Sequence, residues 1–224
     1  MDIGSKRLFI FDLDGTLVDA YRAISRSLNF TRKKFGYAPV AFETAKNNVG
    51  NGDKNFIAVF FPLPEVDKAL AVYRKHHQSA LPRYVRIKPF ARGLLSLLRK
   101  KGKLMAIASN RPAAYTDIIV RSLKIKHYFD YIVCADEIKS LKPHPKILRE
   151  VLKMAKLKKK QAVFIGDMNI DMETAKRAAM DAVFVVGGSS SVEDVEHYKN
   201  KKTAQALKDI KGFLISGKDD LCAL

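Results

Sequence analysis

Two carboxylates two residues apart, Asp12 and Asp14, stand where the apolar run Leu8-Phe9-Ile10-Phe11 gives way to Gly15. The run reads as a short buried strand, and the Asp14-Gly15 pair as the turn that ends it. Turn chemistry accounts for Asp14 but not for Asp12. Two carboxylates so close together at the edge of a core repel each other and are costly to desolvate, so their presence implies a compensating cation. The pair therefore predicts a nucleophile and an acid/base organised around Mg²⁺.

Further polar residues recur wherever an apolar run ends. Leu104–Ala108 stops at Ser109-Asn110, and Ala162–Ile165 stops at Gly166-Asp167, with Asp171 four residues on. Lys142, in Lys142-Pro143-His144-Pro145, follows the run Tyr131–Cys134 and a short loop. Each has a plainer alternative. Ser109-Asn110 before Pro112 is an ordinary helix start, Lys142 alone is a surface lysine, and Asp171 is a helix cap.

The elements around these residues alternate. Runs at 8–11, 104–108, 131–134, 162–165 and 182–186 read as strands, and those from 104 onward are separated by helical patterns at 112–123, 145–154 and 171–180. That rhythm predicts an α/β fold, a Rossmann-like parallel sheet covered on both faces. Ligands of such sheets bind beyond the carboxyl ends of the strands, where the polar residues fall. Between residues 19 and 85 no apolar strand is visible. Helical pieces at 20–35, 42–49, 55–60 and 65–79, punctuated by Pro62, Pro64 and Pro82, predict an α-helical cap inserted after the first strand. The expected domains are thus a core of residues 1–18 and 86–224 and a cap of residues 19–85.

Lys and Arg total 41 against 23 Asp and Glu, a net charge of +18. The basic residues form short clusters without interleaved aromatics, as a solvated surface would and a nucleic-acid groove would not. The apolar stretches are too short to cross a bilayer, and the first strand begins too early to leave room for a signal peptide. With only Cys134 and Cys222, a disulfide framework is not expected, and a reducing cytoplasm is the expected setting.

Four motifs in order give the chain a specific resemblance. Asp12-Leu13-Asp14-Gly15-Thr16, Ser109-Asn110, Lys142-Pro143-His144-Pro145 and Gly166-Asp167-Met168-Asn169-Ile170-Asp171 resemble those of the haloacid dehalogenase superfamily, in the branch with an α-helical cap. The resemblance implies that Asp12 attacks phosphorus and Asp14 shuttles protons. It implies Mg²⁺ held by the Asp12 and Asp167 carboxylates and the Asp14 carbonyl, with Asp171 orienting a metal water or Lys142. Ser109 and the Asn110 amide would hold phosphate oxygens, Lys142 would neutralise charge, and Thr16 would brace the loop at the phosphate site.

Asp14 and Asp167 argue against a dehalogenase, which on this pattern needs neither. The expected activity is hydrolysis of a small phosphomonoester, with a phosphomutase, a nucleotidase or a non-catalytic nucleic-acid-binding protein on the same fold as alternatives. The loop Asn48-Val49-Gly50-Asn51-Gly52-Asp53 resembles the specificity loop of phosphoglycolate phosphatases, which makes Asn51 and Gly52 candidate substrate contacts. Asn-Gly is also a plain turn signature. Arg22 and Lys54 are candidate anion contacts or solvent-facing cations. His76 and His77 read as solvated or core residues, and His144 as part of the loop scaffold. The expected partner is a small phosphorylated metabolite rather than a membrane or nucleic acid, met by a monomer or homodimer.

Overall fold

The computed structural model describes residues 1–215. Six strands form one sheet: β1 (Leu8–Phe11), β4 (Leu104–Ser109), β5 (Tyr131–Cys134), β6 (Ala162–Gly166), β7 (Asp181–Val185) and β8 (Lys201–Ala204). Their order is β5-β4-β1-β6-β7-β8, and every neighbouring pair is parallel. β1 is central, and its four residues are completely buried.

Successive side chains of a strand point to opposite faces, and the core divides accordingly. Phe9 and Phe11 pack with Met105, Ile107, Val163 and Ile165 under α5 (Ala91–Lys100), α6 (Ala113–Ser122) and α10 (Leu207–Ile215). Leu8 and Ile10 pack with Ala106, Ala108 and Phe164 on the other face, under α8 (Lys146–Ala155) and α9 (Asn169–Arg177). A parallel sheet buried on both faces needs such continuous apolar strands.

After β1 the chain leaves the sheet. β2 (Val18–Asp19) pairs antiparallel with β3 (Arg86–Ile87), Val18 opposite Ile87 and Asp19 opposite Arg86. Between them lie α1 (Tyr21–Lys34), α2 (Phe42–Asn47), α3 (Asp53–Phe60) and α4 (Val66–Tyr84). The insertion is all-helical, as expected. α4 runs five residues past the expected end at 79 and contains Pro82, whose missing N–H removes one helical bond near its end. The ribbon is tied to the turn after β1, since the Lys88 ammonium donates to the Gly15 carbonyl at 2.6 Å and the Lys88 N–H to the Leu17 carbonyl at 2.9 Å.

Three core elements escaped the sequence reading. α5 carries Leu94, Leu95 and Leu98 on one buried face. β8 adds an edge strand to the sheet beside β7, and α10 packs Leu207, Ile210 and Leu214 into the core. No described helix is long and apolar enough to cross a membrane. Cys134 is buried, its thiol pushed up to about 12 by desolvation; Cys222 lies outside the described residues.

Candidate active site

Asp12 is still part of the sheet, its N–H donating to the Ile165 carbonyl at 2.8 Å. The chain then turns, with the Leu17 and Val18 amides closing onto the Leu13 carbonyl at 3.0 Å. Gly15 sits in this turn at φ +85, and a Cβ there would lie 2.2 Å from Asp167 Oδ2. A Cβ at Gly188 would lie 1.8 Å from the same oxygen. Only glycine lets the backbone approach this carboxylate from both sides.

Asp167, at the end of β6, is completely buried. The Thr16 hydroxyl donates to its Oδ1 at 2.6 Å, and the Ser189 N–H to its Oδ2 at 3.2 Å. Burial, reinforced by Asp171, nevertheless pushes its carboxyl up to about 7.

Lys142 joins the motifs. Its ammonium lies 2.5 Å from Asp12 Oδ1 and 2.7 Å from Asp171 Oδ1 and is buried with both. Desolvation works against its charge, but Asp12 and Asp171 more than offset that and hold it above the usual lysine value. Asn110 clamps the Lys142 backbone: its Oδ1 accepts the Lys142 N–H at 2.7 Å, and its Nδ2 donates to the Lys142 carbonyl at 3.2 Å and the Gly50 carbonyl at 2.8 Å. Asp171 does both things the sequence allowed. Its Oδ2 caps α9 through the Met168 N–H, while Oδ1 orients Lys142.

One ammonium does not satisfy three carboxylates. Burial pushes the Asp12 carboxyl well above the usual range; Lys142 opposes this, and Asp171 and Asp167 add to the rise. Oxygens of Asp12, Asp167 and Asp171 all lie within 4.8 Å of one another. Four carboxyl groups, with Asp14, gather around Lys142 and Arg111, with Lys88 also acting on Asp167, so the acids outnumber the cations. Asp14 Oδ1 is also buried without a hydrogen-bond partner. Hard oxygen donors with this charge excess fit one divalent cation of the magnesium type.

Above this cluster is a cavity of about 70 Å³, walled on the insert side by Phe56, Tyr73 and His77. Arg111 links the two sides, donating from Nε to Asp14 Oδ2 at 2.7 Å, with Nη1 2.7 Å from His77 Nε2. Burial and the neighbouring guanidinium hold His77 well below its ordinary value.

Ser109 and Gly52 line the cavity as expected, and the Ser109 Oγ accepts the Arg111 N–H at 3.1 Å. Thr16 and Asn51 are not brought to its wall. The Thr16 hydroxyl is spent on Asp167, and Asn51 is exposed, its carbonyl accepting from the Asn55 side chain. Arg22 is exposed, and Lys54 pairs with Asp67 at 2.8 Å. His76 stacks on Phe30 at 4.1 Å, and His144 is exposed, accepting the Lys146 N–H within its loop. His77 is the buried core residue of the pair, yet it also faces the cavity. Sequence reasoning passed over Arg111, whose one signal was its place directly after Ser109-Asn110.

Comparison with known proteins gives the same picture over nearly the whole chain. Residues 9–185 match the model of haloacid dehalogenase-like hydrolases. A phosphoglycolate phosphatase of Colwellia psychrerythraea is 32% identical over 209 residues, spanning 88% of this chain and 92% of its own length. One from Aquifex aeolicus is 28% identical over 182 residues, spanning 81% of this chain and 85% of its own length. Among solved structures, a haloacid dehalogenase-like hydrolase from Streptococcus pneumoniae superposes with a TM-score of 0.85 at 22% identity, covering 93% of this chain and 98% of that one. The four strand-end motifs, the fold and the family match agree: this chain is an enzyme of the haloacid dehalogenase-like hydrolase family.

Proposed function

We propose that the chain is a magnesium-dependent phosphatase that hydrolyses a small phosphomonoester through an aspartyl-phosphate on Asp12, like the phosphoglycolate phosphatases it resembles. The observation that carries this reading is the buried cluster of Asp12, Lys142 and Asp167 beneath a cavity at the strand ends. Asp12 would form a bond to phosphorus as the ester P–O bond breaks, and Asp14 would give the departing alkoxide its proton. Water then attacks phosphorus, Asp14 takes up the water's proton, and phosphate and free Asp12 are regenerated.

Lys142 lowers the repulsion between Asp12 and a phosphate dianion, while Ser109 and the Asn110 amide hold its oxygens. Mg²⁺, held by the Asp12 and Asp167 carboxylates and the Asp14 carbonyl, supplies further positive charge. Asp171 fixes Lys142, and Thr16 fixes Asp167. In this reading residues 19–85 form a cap over a core of residues 1–18 and 86–224. Gly52 belongs to the cap loop at the substrate, with Asn51 on its outer side.

The test is phosphate release from phosphoglycolate, p-nitrophenyl phosphate and a panel of metabolite phosphates. Turnover is expected with Mg²⁺ and lost with EDTA. No release from any ester, together with DNA binding that weakens steeply with salt, would favour the binding-protein reading instead.

Melting curves check the metal assignment separately. The raised Asp167 carboxyl keeps its proton in the folded protein between the ordinary value of 3.8 and about 7, whereas the unfolded chain releases it. Unfolding in that window therefore releases protons, and metal-free stability falls as pH rises through it. Mg²⁺ competes with that proton, so it should raise Tm more at pH 8 than at pH 5. An equal rise at both values would remove Asp167 from the ligand set.

A further inference from the structure

The cations lining the cavity are Lys142 and Arg111. Lys142 is committed, its ammonium shared between Asp12 and Asp171. Arg111 is held differently. Its side chain is only 7% exposed, Nε is on Asp14 and Nη1 faces His77. Nη2 makes no hydrogen bond among the described residues, and it is not one of the buried atoms left without a partner.

Donor and acceptor accounting fixes the state of His77. A guanidinium N–H only donates, so Nε2 must present a lone pair and the ring proton must lie on Nδ1. Nδ1 lies 3.1 Å from Ser27 Oγ, whose own hydrogen goes to the Ala23 carbonyl at 2.8 Å. Tyr73 stacks on the ring at 4.9 Å and Tyr115 meets its edge at 5.6 Å. His77 is thus a fixed neutral acceptor. It orients the guanidinium without cancelling its charge, and among the described residues the carboxylate bonded to Arg111 is that of Asp14, while Asp53, also on the cavity wall, is held by Arg74. An Asp14 held in this ion pair is not free to serve a leaving group.

We infer that Arg111 is a specificity-determining residue: its guanidinium takes an anionic group at the non-reacting end of the substrate, and that group replaces Asp14 as its partner. The inference rests on the phosphatase reading and adds a substrate class, phosphomonoesters carrying a carboxylate close to the ester oxygen. The exchange couples recognition to chemistry. A substrate with the second charge frees Asp14 to face the alkoxide oxygen, and a neutral one leaves it clamped. Guanidinium suits the task, since it offers a planar carboxylate two parallel N–H donors.

The experiment compares kcat/KM for phosphoglycolate and ethyl phosphate, which have the same carbon count and differ in the carboxylate, for the wild type, Arg111→Gln and Arg111→Lys with Mg²⁺. The wild type is expected to favour phosphoglycolate by roughly 10- to 100-fold, the worth of a charge-assisted hydrogen bond. Arg111→Gln should bring the ratio near one, losing far more of the phosphoglycolate turnover than of the ethyl phosphate turnover. Arg111→Lys should restore part of the preference. Equal losses on both esters would make Arg111 merely structural and overturn the inference. A wild type without preference overturns it too, whether or not the variants fold. No release from either ester by the wild type overturns this inference, and no release from the whole panel of esters overturns the phosphatase reading as well.

Discussion

Asp12→Asn is expected to lower kcat by about 10⁴-fold or more, the scale seen when a nucleophile is removed, while leaving the fold intact. The amide keeps the volume and planarity of the carboxylate but lacks the anionic oxygen that must bond to phosphorus. Its carbonyl can still accept from Lys142, so the buried ammonium is not abandoned. Stability should not suffer. The Asp12 carboxyl is already pushed up by burial and by Asp171 and Asp167, so removing its charge relieves a cluster with too many anions. Steady-state phosphate release and metal-free melting together check this. The expected outcome is lost turnover with a Tm equal to or above that of the wild type. A kcat within tenfold of the wild type would remove Asp12 as nucleophile.

Lys142→Met should also abolish useful turnover, by roughly 10²- to 10³-fold for the loss of one preorganised charge, but its effect on stability has the opposite sign. The thioether fills much the same space and leaves Asp12 and Asp171 buried without their cation. Removing one partner of a buried pair costs about 3–5 kcal/mol, which for a chain of this size lowers Tm by roughly 6–20 °C. Mg²⁺ should recover more Tm in this variant than in the wild type, because the cluster has lost a charge that the ion can partly replace. Two neighbouring substitutions, both inactivating and moving metal-free stability in opposite directions, identify the cluster as anion-rich. If both lowered Tm alike, that charge balance would be wrong.

What could be read from sequence follows the physics of each element. Asp12, Ser109 and Asp167 each close a run of buried apolar residues, and a buried run ending on a polar group is a pattern that survives without a structure. Lys142 needed the family resemblance, since a lysine between a loop and two prolines has no periodicity to mark it. β8 shows in the sequence only as basic residues. An edge strand carrying Lys201 and Lys202 has no apolar run, and charged side chains are what keep such an edge from pairing elsewhere. Arg111 could not be read at all. Its meaning depends on His77, 34 residues away on an inserted helix, and no local pattern reports where that helix comes to rest.

The ribbon of β2 and β3 gives the chain an exchangeable part. The insertion departs at Asp19 and returns at Arg86, and those residues are paired across the ribbon. The ends of the excised segment are thus already adjacent, at the separation a two-residue hairpin closes. An entire helical unit can be shortened, lengthened or replaced there without moving a strand of the sheet. Evolution and engineering have the same opening. The helical insertion can be rewritten while the sheet and the residues at its strand ends stay as they are.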